Sequence, residues 1–203
     1  MTPRLKQPHN VIAGLLVAIA IATGIVLSQL GKEPTTRSGI EWLEQPRVLG
    51  DFRLNSQGQA FNNESLIDRW HIIVFGYTQC PDICPTLLAE LAPLVQQLEG
   101  FNIRLVFVSV DPGRDTVGHL AEYVSYFHAG FLGVTGAPEQ LQILADSLGL
   151  RFHLTGAGDN YQVSHSITVS LIDTQGLLQG RMRSGFDLHT TARDIANHLE
   201  SPG

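Results

Sequence analysis

The chain has 203 residues, of which 43% are hydrophobic and 16% are charged. That composition supplies enough apolar material for one folded domain of ordinary size and excludes disorder across the whole chain. The formal net charge is −6, and after Arg37 only nine Lys and Arg face 18 Asp and Glu. Such an acidic domain argues against nucleic acid and anionic lipid as partners, and it is compatible with a basic protein partner.

After its first ten residues the chain has a nearly continuous apolar run over residues 11–30, about the length that a helix needs to cross a bilayer. A cleaved signal peptide, with Ala18-Ile19-Ala20 as its cleavage signal, and a buried core helix are the alternatives. Because the apolar run continues past Ala20, an uncleaved transmembrane anchor is favoured. Basic residues are nearly balanced on its two sides, so they leave the orientation open.

These patterns divide the chain into four segments. We expect a cytoplasmic tail over 1–10, the anchor over 11–30, a linker over 31–47 and an exported domain over 48–203.

The domain begins with a polar cluster around Gly58 between short apolar stretches, which predicts a β-hairpin. Strands and helices then alternate. Strands are predicted at 70–75, 103–110, 131–134, 151–154, 166–172 and 177–181, and helices at 86–99, from Val117, at 138–148 and at 187–199. Asp115 or Thr116 is expected to cap the second helix. The alternation predicts an α/β sheet with helices on both faces.

Cys80 and Cys84 are the chain's two cysteines, and they lie between the 70–75 strand and the following helix. Open α/β sheets place their chemistry at the carboxyl ends of strands, and helical residues four apart face the same side. A purely structural disulfide is disfavoured, because closing so short a loop removes little entropy from the unfolded chain. A functional thiol pair, redox-active or metal-binding, is the better interpretation.

His165 is the candidate third participant, because it lies in a polar setting between a Gly-rich loop and a strand, where we expect it to be exposed. Two thiolates and one imidazole suit Cu(I), Zn(II) or Cu(II). Structural zinc normally has four protein ligands. Since the sequence nominates only three, copper is favoured.

Three ordered motifs resemble those of the Sco/SenC copper chaperones, and the likeness runs from about residue 48 to residue 199. They are Gly76-Tyr77-Thr78 with Cys80-Pro81-Asp82-Ile83-Cys84-Pro85, then Asp111-Pro112-Gly113-Arg114-Asp115-Thr116, and then Tyr161-Gln162-Val163-Ser164-His165-Ser166. The resemblance implies a thioredoxin-like fold in which Cys80, Cys84 and His165 bind copper as Cu(I), Cu(II) or both.

The resemblance also implies a function, namely assembly of the binuclear copper centre of cytochrome c oxidase. The expected partners are the copper-bearing subunit of that oxidase and other periplasmic copper carriers. The expected location is the bacterial inner membrane, with a single pass and the carboxyl-terminal domain in the periplasm.

The chain departs from the family pattern at Ser164, where an acidic residue commonly precedes the histidine, so a hydrogen bond to the ligand is lost or replaced. Asp82 and Asp111 are candidates for tuning the metal or for contacting a partner. The alternative interpretations are a solvated loop carboxylate for Asp82 and a strand-end turn residue for Asp111.

Two functions other than copper delivery use the same cysteine pair. An exported thiol-disulfide reductase would keep the oxidase cysteines reduced, and His165 would then be dispensable. The usual motif of such a reductase has two residues between the cysteines, whereas this chain has three. A redox sensor without catalysis is the other alternative. A peroxidase is disfavoured, because Thr78 lies two residues before Cys80 rather than three. No catalytic residue is nominated, and thiol-disulfide exchange is the only enzymatic activity that the sequence suggests.

Overall fold

A computed structural model of the chain describes Gly14, residues 39–156 and residues 161–200. Within these residues no helix is long and apolar enough to span a membrane. The predicted tail over 1–10 and, apart from Gly14, the predicted anchor over 11–30 lie outside the described residues.

A six-stranded sheet forms the centre of the described domain. In chain order its strands are β1 (Ile40–Val48), β4 (Trp70–Gly76), β5 (Ile103–Ser109), β6 (Leu132–Val134), β9 (Val169–Ile172) and β10 (Leu177–Met182). The spatial order is β1-β10-β9-β4-β5-β6, with β4, β5 and β6 parallel and with β1, β10, β9 and β4 pairing antiparallel to one another. Two hairpins lie outside this sheet, β2 (Arg53–Ser56) with β3 (Gln59–Asn62) and β7 (Phe152–Thr155) with β8 (Gln162–His165).

Within residues 39–156 and 161–200, four α-helices cover the two faces of the sheet. They are α1 (Ile83–Gln97), α2 (Val117–Ser125), α3 (Pro138–Leu148) and α4 (Leu188–Glu200). Side chains of α1, α2 and α4 share one buried cluster with Ile72, Val74 and Phe107 of the sheet. Side chains of α3 and of the β2–β3 hairpin share the other cluster with Ile73 and Phe75. The predicted α/β sheet with helices on both faces and the predicted hairpin are therefore confirmed.

β4 explains why the site lies where it does. Its residues alternate between the two clusters, so both faces are buried and the sequence reads as a continuous apolar run, as is usual for a central strand. Parallel pairing with β5 brings the carboxyl ends of both strands to the same edge of the sheet. Two loops therefore emerge side by side. One leads from β4 to α1 and carries Cys80, and the other starts at Val110 and leads from β5 to α2.

Strand β1 corrects the predicted linker over 31–47, because Ile40–Val48 pairs with β10 at the edge of the sheet. Trp42 packs against one core cluster and Leu43 against the other. The pairing register shifts between Trp42 and Arg47, a stretch that includes Pro46. Proline is tolerated at edge strands and at such irregularities. The folded domain therefore begins several residues before the predicted boundary at Val48.

One further prediction differs from the structure, and the predicted cap of α2 is confirmed for one of its two candidates. The strand predicted over 166–172 begins at Val169, and the preceding residues Gln162–His165 form β8, which the sequence did not predict. Thr116 is the residue that caps α2, since its side chain accepts a hydrogen bond from the amide of His119. Asp115 has another role, described below.

Candidate metal centre

Cys80 and Cys84 lie at the start of α1 in different environments. Cys80 precedes the helix, in a turn in which its amide donates to the carbonyl of Tyr77 at 3.2 Å. Cys84 lies in the first helical turn, and its amide donates to the sulfur of Cys80 at 3.3 Å. Both are free thiols, Cys80 half-buried and Cys84 only 2% exposed. Because Cys80 lies outside the regular helix, the two sulfurs are able to face one point.

His165 comes to the cysteines from the end of β8, where it pairs with Phe152 of β7. Its Nε2 atom lies 3.3 Å from the sulfur of Cys84, and its Nδ1 atom lies 3.1 Å from the carbonyl oxygen of Ser166. A proton on Nδ1 would donate to that carbonyl and leave the Nε2 lone pair directed at the cysteines. The ring of Tyr77 meets the imidazole edge-on, with centroids 5.9 Å apart. The sequence predicted an exposed histidine, whereas His165 is half-buried in the structure.

The ligand atoms of Cys80, Cys84 and His165 all lie within 4.8 Å of one another. Among the described residues this is the one group of three or more Cys, His, Asp or Glu side chains with the proximity that a metal ion requires. The structure therefore brings together the three residues that the sequence nominated. Two sulfurs and one imidazole nitrogen form a donor set that fits copper, whereas structural zinc usually takes a fourth protein ligand.

Burial controls the protonation of this group. Desolvation, with the hydrogen-bonding sulfur of Cys80 as a further cause, raises the pKa of the Cys84 thiol to about 12. Desolvation also lowers the pKa of His165, against the opposing effect of the Ser166 carbonyl. The imidazole is therefore neutral and able to ligate at pH 7, whereas the Cys84 thiol must lose a proton when a metal binds.

Comparison with known proteins identifies this arrangement. The family model described as SCO1/SenC matches residues 41–200, well over half of the chain. The chain belongs to the SCO1/SenC family. A protein of Stutzerimonas stutzeri whose name describes it as copper-binding is 41% identical over 164 residues, which cover 78% of this chain and 80% of that relative.

Solved structures of the family share the fold. Arabidopsis thaliana ScoI with copper bound matches with a TM-score of 0.69 and 32% identity, and the match covers 75% of this chain and 98% of the Arabidopsis chain. Yeast Sco1 with copper bound matches with a TM-score of 0.71 and 30% identity, covering 78% of this chain and 91% of the yeast chain. The predicted family membership and thioredoxin-like fold are confirmed.

Beneath the cysteine loop of this SCO1/SenC chain lies the carboxylate of Asp115, which is 1% exposed. It accepts hydrogen bonds from the amide of Thr78 at 2.9 Å, from the hydroxyl of Thr78 at 2.5 Å and from the hydroxyl of Ser109 at 2.5 Å. Thr78 is two residues before Cys80, so this buried network ties the cysteine loop to the end of β5. No local pattern predicts it, because its members are up to 37 residues apart.

A cavity of about 310 Å³ opens beside the ligands. It is lined by Tyr77, Cys80, Pro81, Asp82, Ile83, Val163, Ser164, His165 and Ile167. Asp82 is exposed and immediately precedes α1, and its carboxylate accepts a hydrogen bond from the hydroxyl of Thr86 at 3.5 Å. Ile83 is 45% exposed. A partner approaching the metal group would meet this rim, which has both an acidic and an apolar side chain.

Asp111, the other nominated aspartate, does not line this cavity. Its carboxylate is 1% exposed, forms an ion pair with Arg114 at 2.5 Å and accepts a hydrogen bond from the hydroxyl of Tyr161. These partners belong to the loop after β5 and to the residue before β8, not to the three candidate ligands. Because it is buried, Asp111 is not available as a partner contact in this conformation. The sequence nominated Asp111 but not Arg114 or Tyr161, which form the ion pair and the hydrogen bond with that carboxylate.

Proposed function

We propose that this chain binds copper through Cys80, Cys84 and His165 and delivers it to the copper-bearing subunit of cytochrome c oxidase. The observation that carries the proposal is the convergence of two sulfurs and one imidazole nitrogen within 4.8 Å. Membership of the SCO1/SenC family supports it. The copper-bound relatives support the choice of copper over other metals that accept this donor set.

Each ligand has a distinct part in binding. The buried thiol of Cys84 releases a proton as copper binds, and the neutral imidazole of His165 donates its Nε2 lone pair. Of the two sulfurs, that of Cys80 is nearer to solvent, because Cys80 is half-buried and lines the cavity whereas Cys84 is buried. Transfer then proceeds by ligand exchange, in which thiolates of the partner replace those of the chaperone, beginning at Cys80.

Redox state would control this cycle. When Cys80 and Cys84 form a disulfide, two electrons and two protons leave the pair and are accepted by a partner disulfide, which becomes a dithiol. The oxidised chain has then lost two of its three copper ligands. Reduction of the pair restores the copper-binding state.

The proposal includes a location. We propose that residues 11–30 anchor the chain in the bacterial inner membrane and that the domain works in the periplasm, where it meets the oxidase and other periplasmic copper carriers. The support is the apolar pattern of those residues, which matches the length of a membrane-spanning helix.

A second candidate function is thiol-disulfide reductase activity toward the cysteines of the oxidase copper site. The observation that favours it is the unequal exposure of the pair, with Cys80 accessible and Cys84 buried. In this interpretation Cys80 attacks the partner disulfide and Cys84 resolves the mixed disulfide. His165 would then contribute nothing to function.

The experiment is a titration of the reduced full-length chain with Cu(I) and Cu(II), monitored by sulfur-to-copper charge-transfer absorption. We expect one equivalent of either ion to bind. His165→Ala should weaken Cu(II) binding more than Cu(I) binding, because two thiolates still hold the softer ion. His119→Ala, an exposed histidine on α2, is the matched control. Equal losses for both ions, or no loss, would overturn the proposed role of His165, and weak binding with rapid disulfide exchange would support the reductase.

A further inference from the structure

The hairpin that carries His165 is only partly anchored to the rest of the domain. Strands β7 and β8 pair with each other and form no ladder with the central sheet. Phe152 is buried in a core cluster, Val163 packs against the same cluster, and Ser166 exchanges hydrogen bonds with the backbone of Arg151. These contacts hold the hairpin from the end at which His165 lies to the middle of β8. The other end needs a separate attachment if β8 is to keep a fixed direction across the site.

Tyr161 provides that attachment, because it immediately precedes β8 and reaches the loop after β5. Its hydroxyl donates a hydrogen bond to the carboxylate of Asp111. The guanidinium of Arg114 lies over its ring, 4.0 Å from the centroid, within the range of a cation–π contact. Arg114 also donates to the backbone carbonyl of Tyr161 at 3.4 Å. Three different parts of the tyrosine are thus held by two residues of one loop.

The loop that holds Tyr161 is itself rigidly built. Asp111 is 1% exposed, and its amide donates to the hydroxyl of Ser109 at 3.1 Å. The ion pair between Asp111 and Arg114 spans one tight turn, in which the amide of Arg114 donates to the carbonyl of Asp111. A buried carboxylate with an arginine and a hydroxyl donor is a strong, directional anchor.

The same arginine reaches the cysteine loop. It donates to the side chain of Gln79 at 3.4 Å, and Gln79 is the residue before Cys80. Arg114 therefore contacts both the segment that carries His165 and the segment that carries Cys80. The contacts connect the two halves of the candidate metal centre without touching a ligand atom.

We propose that Tyr161, Asp111 and Arg114 form a clamp that fixes the direction of β8 and so holds His165 at the cysteine pair. They are positioning residues, and the proposal rests on the copper-binding function proposed above. Its chemical consequence is selective. Cu(II) depends on the imidazole, so a loosened β8 weakens Cu(II) binding, whereas Cu(I) is still held by the two thiolates.

Tyr161→Phe is the first test variant, because it keeps the ring beneath Arg114 and removes only the hydroxyl. Tyr126→Phe is its control, since Tyr126 is 88% exposed and is distant in sequence from all three candidate ligands. Gly113→Ala is the second test variant, because a Cβ there would lie 3.0 Å from the hydroxyl oxygen of Tyr161 and press it away from Asp111. Gly118→Ala is its control, with nothing within 4 Å of the added carbon.

The first measurement is amide hydrogen exchange of the metal-free chain, followed at Gln162 and Ser164 of β8, whose amides face β7 in the same alternation as the amide of Ser166, which donates to the carbonyl of Arg151. The second is the affinity for Cu(I) and Cu(II), with the Cu(II) charge-transfer spectrum. We expect both test variants to exchange faster in β8, to bind Cu(II) about tenfold more weakly with a shifted spectrum, and to bind Cu(I) nearly as the unmodified chain does. Both controls should match the unmodified chain.

Three results would overturn the clamp. They are exchange rates equal to those of the controls, faster exchange with unchanged Cu(II) affinity, and an equal loss of Cu(I) and Cu(II) affinity, which would indicate general destabilisation. If the unmodified chain bound no copper, the proposed function would fail. The exchange measurement on the metal-free chain would still decide whether Tyr161 fixes β8.

Discussion

The backbone amide of Cys84, in the first turn of α1, donates a hydrogen bond to the sulfur of Cys80, which lies before the helix. Cys80 faces the cavity and is half-buried, while Cys84 packs in the core and lies 3.3 Å from the imidazole of His165. One sulfur is therefore able to meet a reagent or a partner directly. The other sulfur, that of Cys84, is buried and does not line the cavity.

This asymmetry predicts unequal alkylation of the two thiols in the metal-free, reduced chain. Burial holds the pKa of the Cys84 thiol well above the ordinary cysteine value, so this thiol is protonated at pH 8, and its sulfur is buried. Iodoacetamide should therefore modify Cys80 in the Cys84→Ser variant more than about tenfold faster than it modifies Cys84 in the Cys80→Ser variant. Mass spectrometry over a time course measures both rates.

Denaturant supplies the control for this comparison, because unfolding removes the difference in environment. In concentrated urea the two variants should react at rates equal to within about twofold. Equal rates in the folded proteins would contradict the unequal environments, and faster reaction of Cys84 would contradict the assignment of Cys80 as the sulfur that a partner meets first.

The carboxylate of Asp115 gives a prediction about stability. In Asp115→Ala the amide of Thr78 and the hydroxyls of Thr78 and Ser109 lose their acceptor at a site that is 1% exposed. An unsatisfied buried donor costs about 1–3 kcal/mol, and hydroxyls are able to rotate toward other acceptors. We expect the variant to lose about 3 kcal/mol of unfolding free energy, measured by urea denaturation.

Asp146→Ala is the matched control, because Asp146 is also an aspartate whose carboxylate accepts side-chain hydrogen bonds, from Arg151 and Gln142, but its side chain is 54% exposed. Surface ion pairs contribute little, so this variant should lose less than about 1 kcal/mol. If the two variants lost the same free energy, the network beneath the cysteine loop would not be the anchor that its hydrogen bonds indicate.

The sequence predicted the features that depend on local pattern. The cysteine pair between a strand and a helix, and the hairpin turning at Gly58, follow from spacing and from residue types with strong conformational preferences. The helix predicted over 138–148 ends as α3 does, and the next residue, Gly149, adopts the left-handed conformation with φ of 70°. In each case the decisive residues are neighbours in the chain, which is why a sequence alone is enough.

The features that the sequence missed depend on distant partners. β1 contains Glu41, Glu44 and Pro46, which favour a linker, and only its pairing with β10 makes it a strand. β8 is too short for a periodic pattern and exists because β7 pairs with it. Asp111 was nominated by its motif, yet its bond to Tyr161 spans 50 residues and is invisible to any local pattern.

His71 gives a prediction about pH. It is 1% exposed on β4, its Nδ1 atom has no hydrogen-bond partner among the described residues, and its register partner on β5 is Arg104. Desolvation, together with the nearby arginine charge, lowers the pKa of His71 from 6.5 to about 4. Below pH 6.5 the unfolded chain therefore binds a proton that the folded chain does not bind until about pH 4.

Because protonation favours the unfolded chain, stability should fall as the pH decreases from about 6.5 to about 4. The loss attributable to this one histidine is about 3 kcal/mol, on the order of the free energy of its pKa difference. Urea denaturation at a series of pH values should show a shallower decline for His71→Leu than for the unmodified chain. His119→Gln, which replaces an exposed histidine, should leave the decline unchanged. Parallel declines for His71→Leu and the unmodified chain would mean that the folded state protonates His71 as readily as the unfolded state, so that its burial does not hold it neutral.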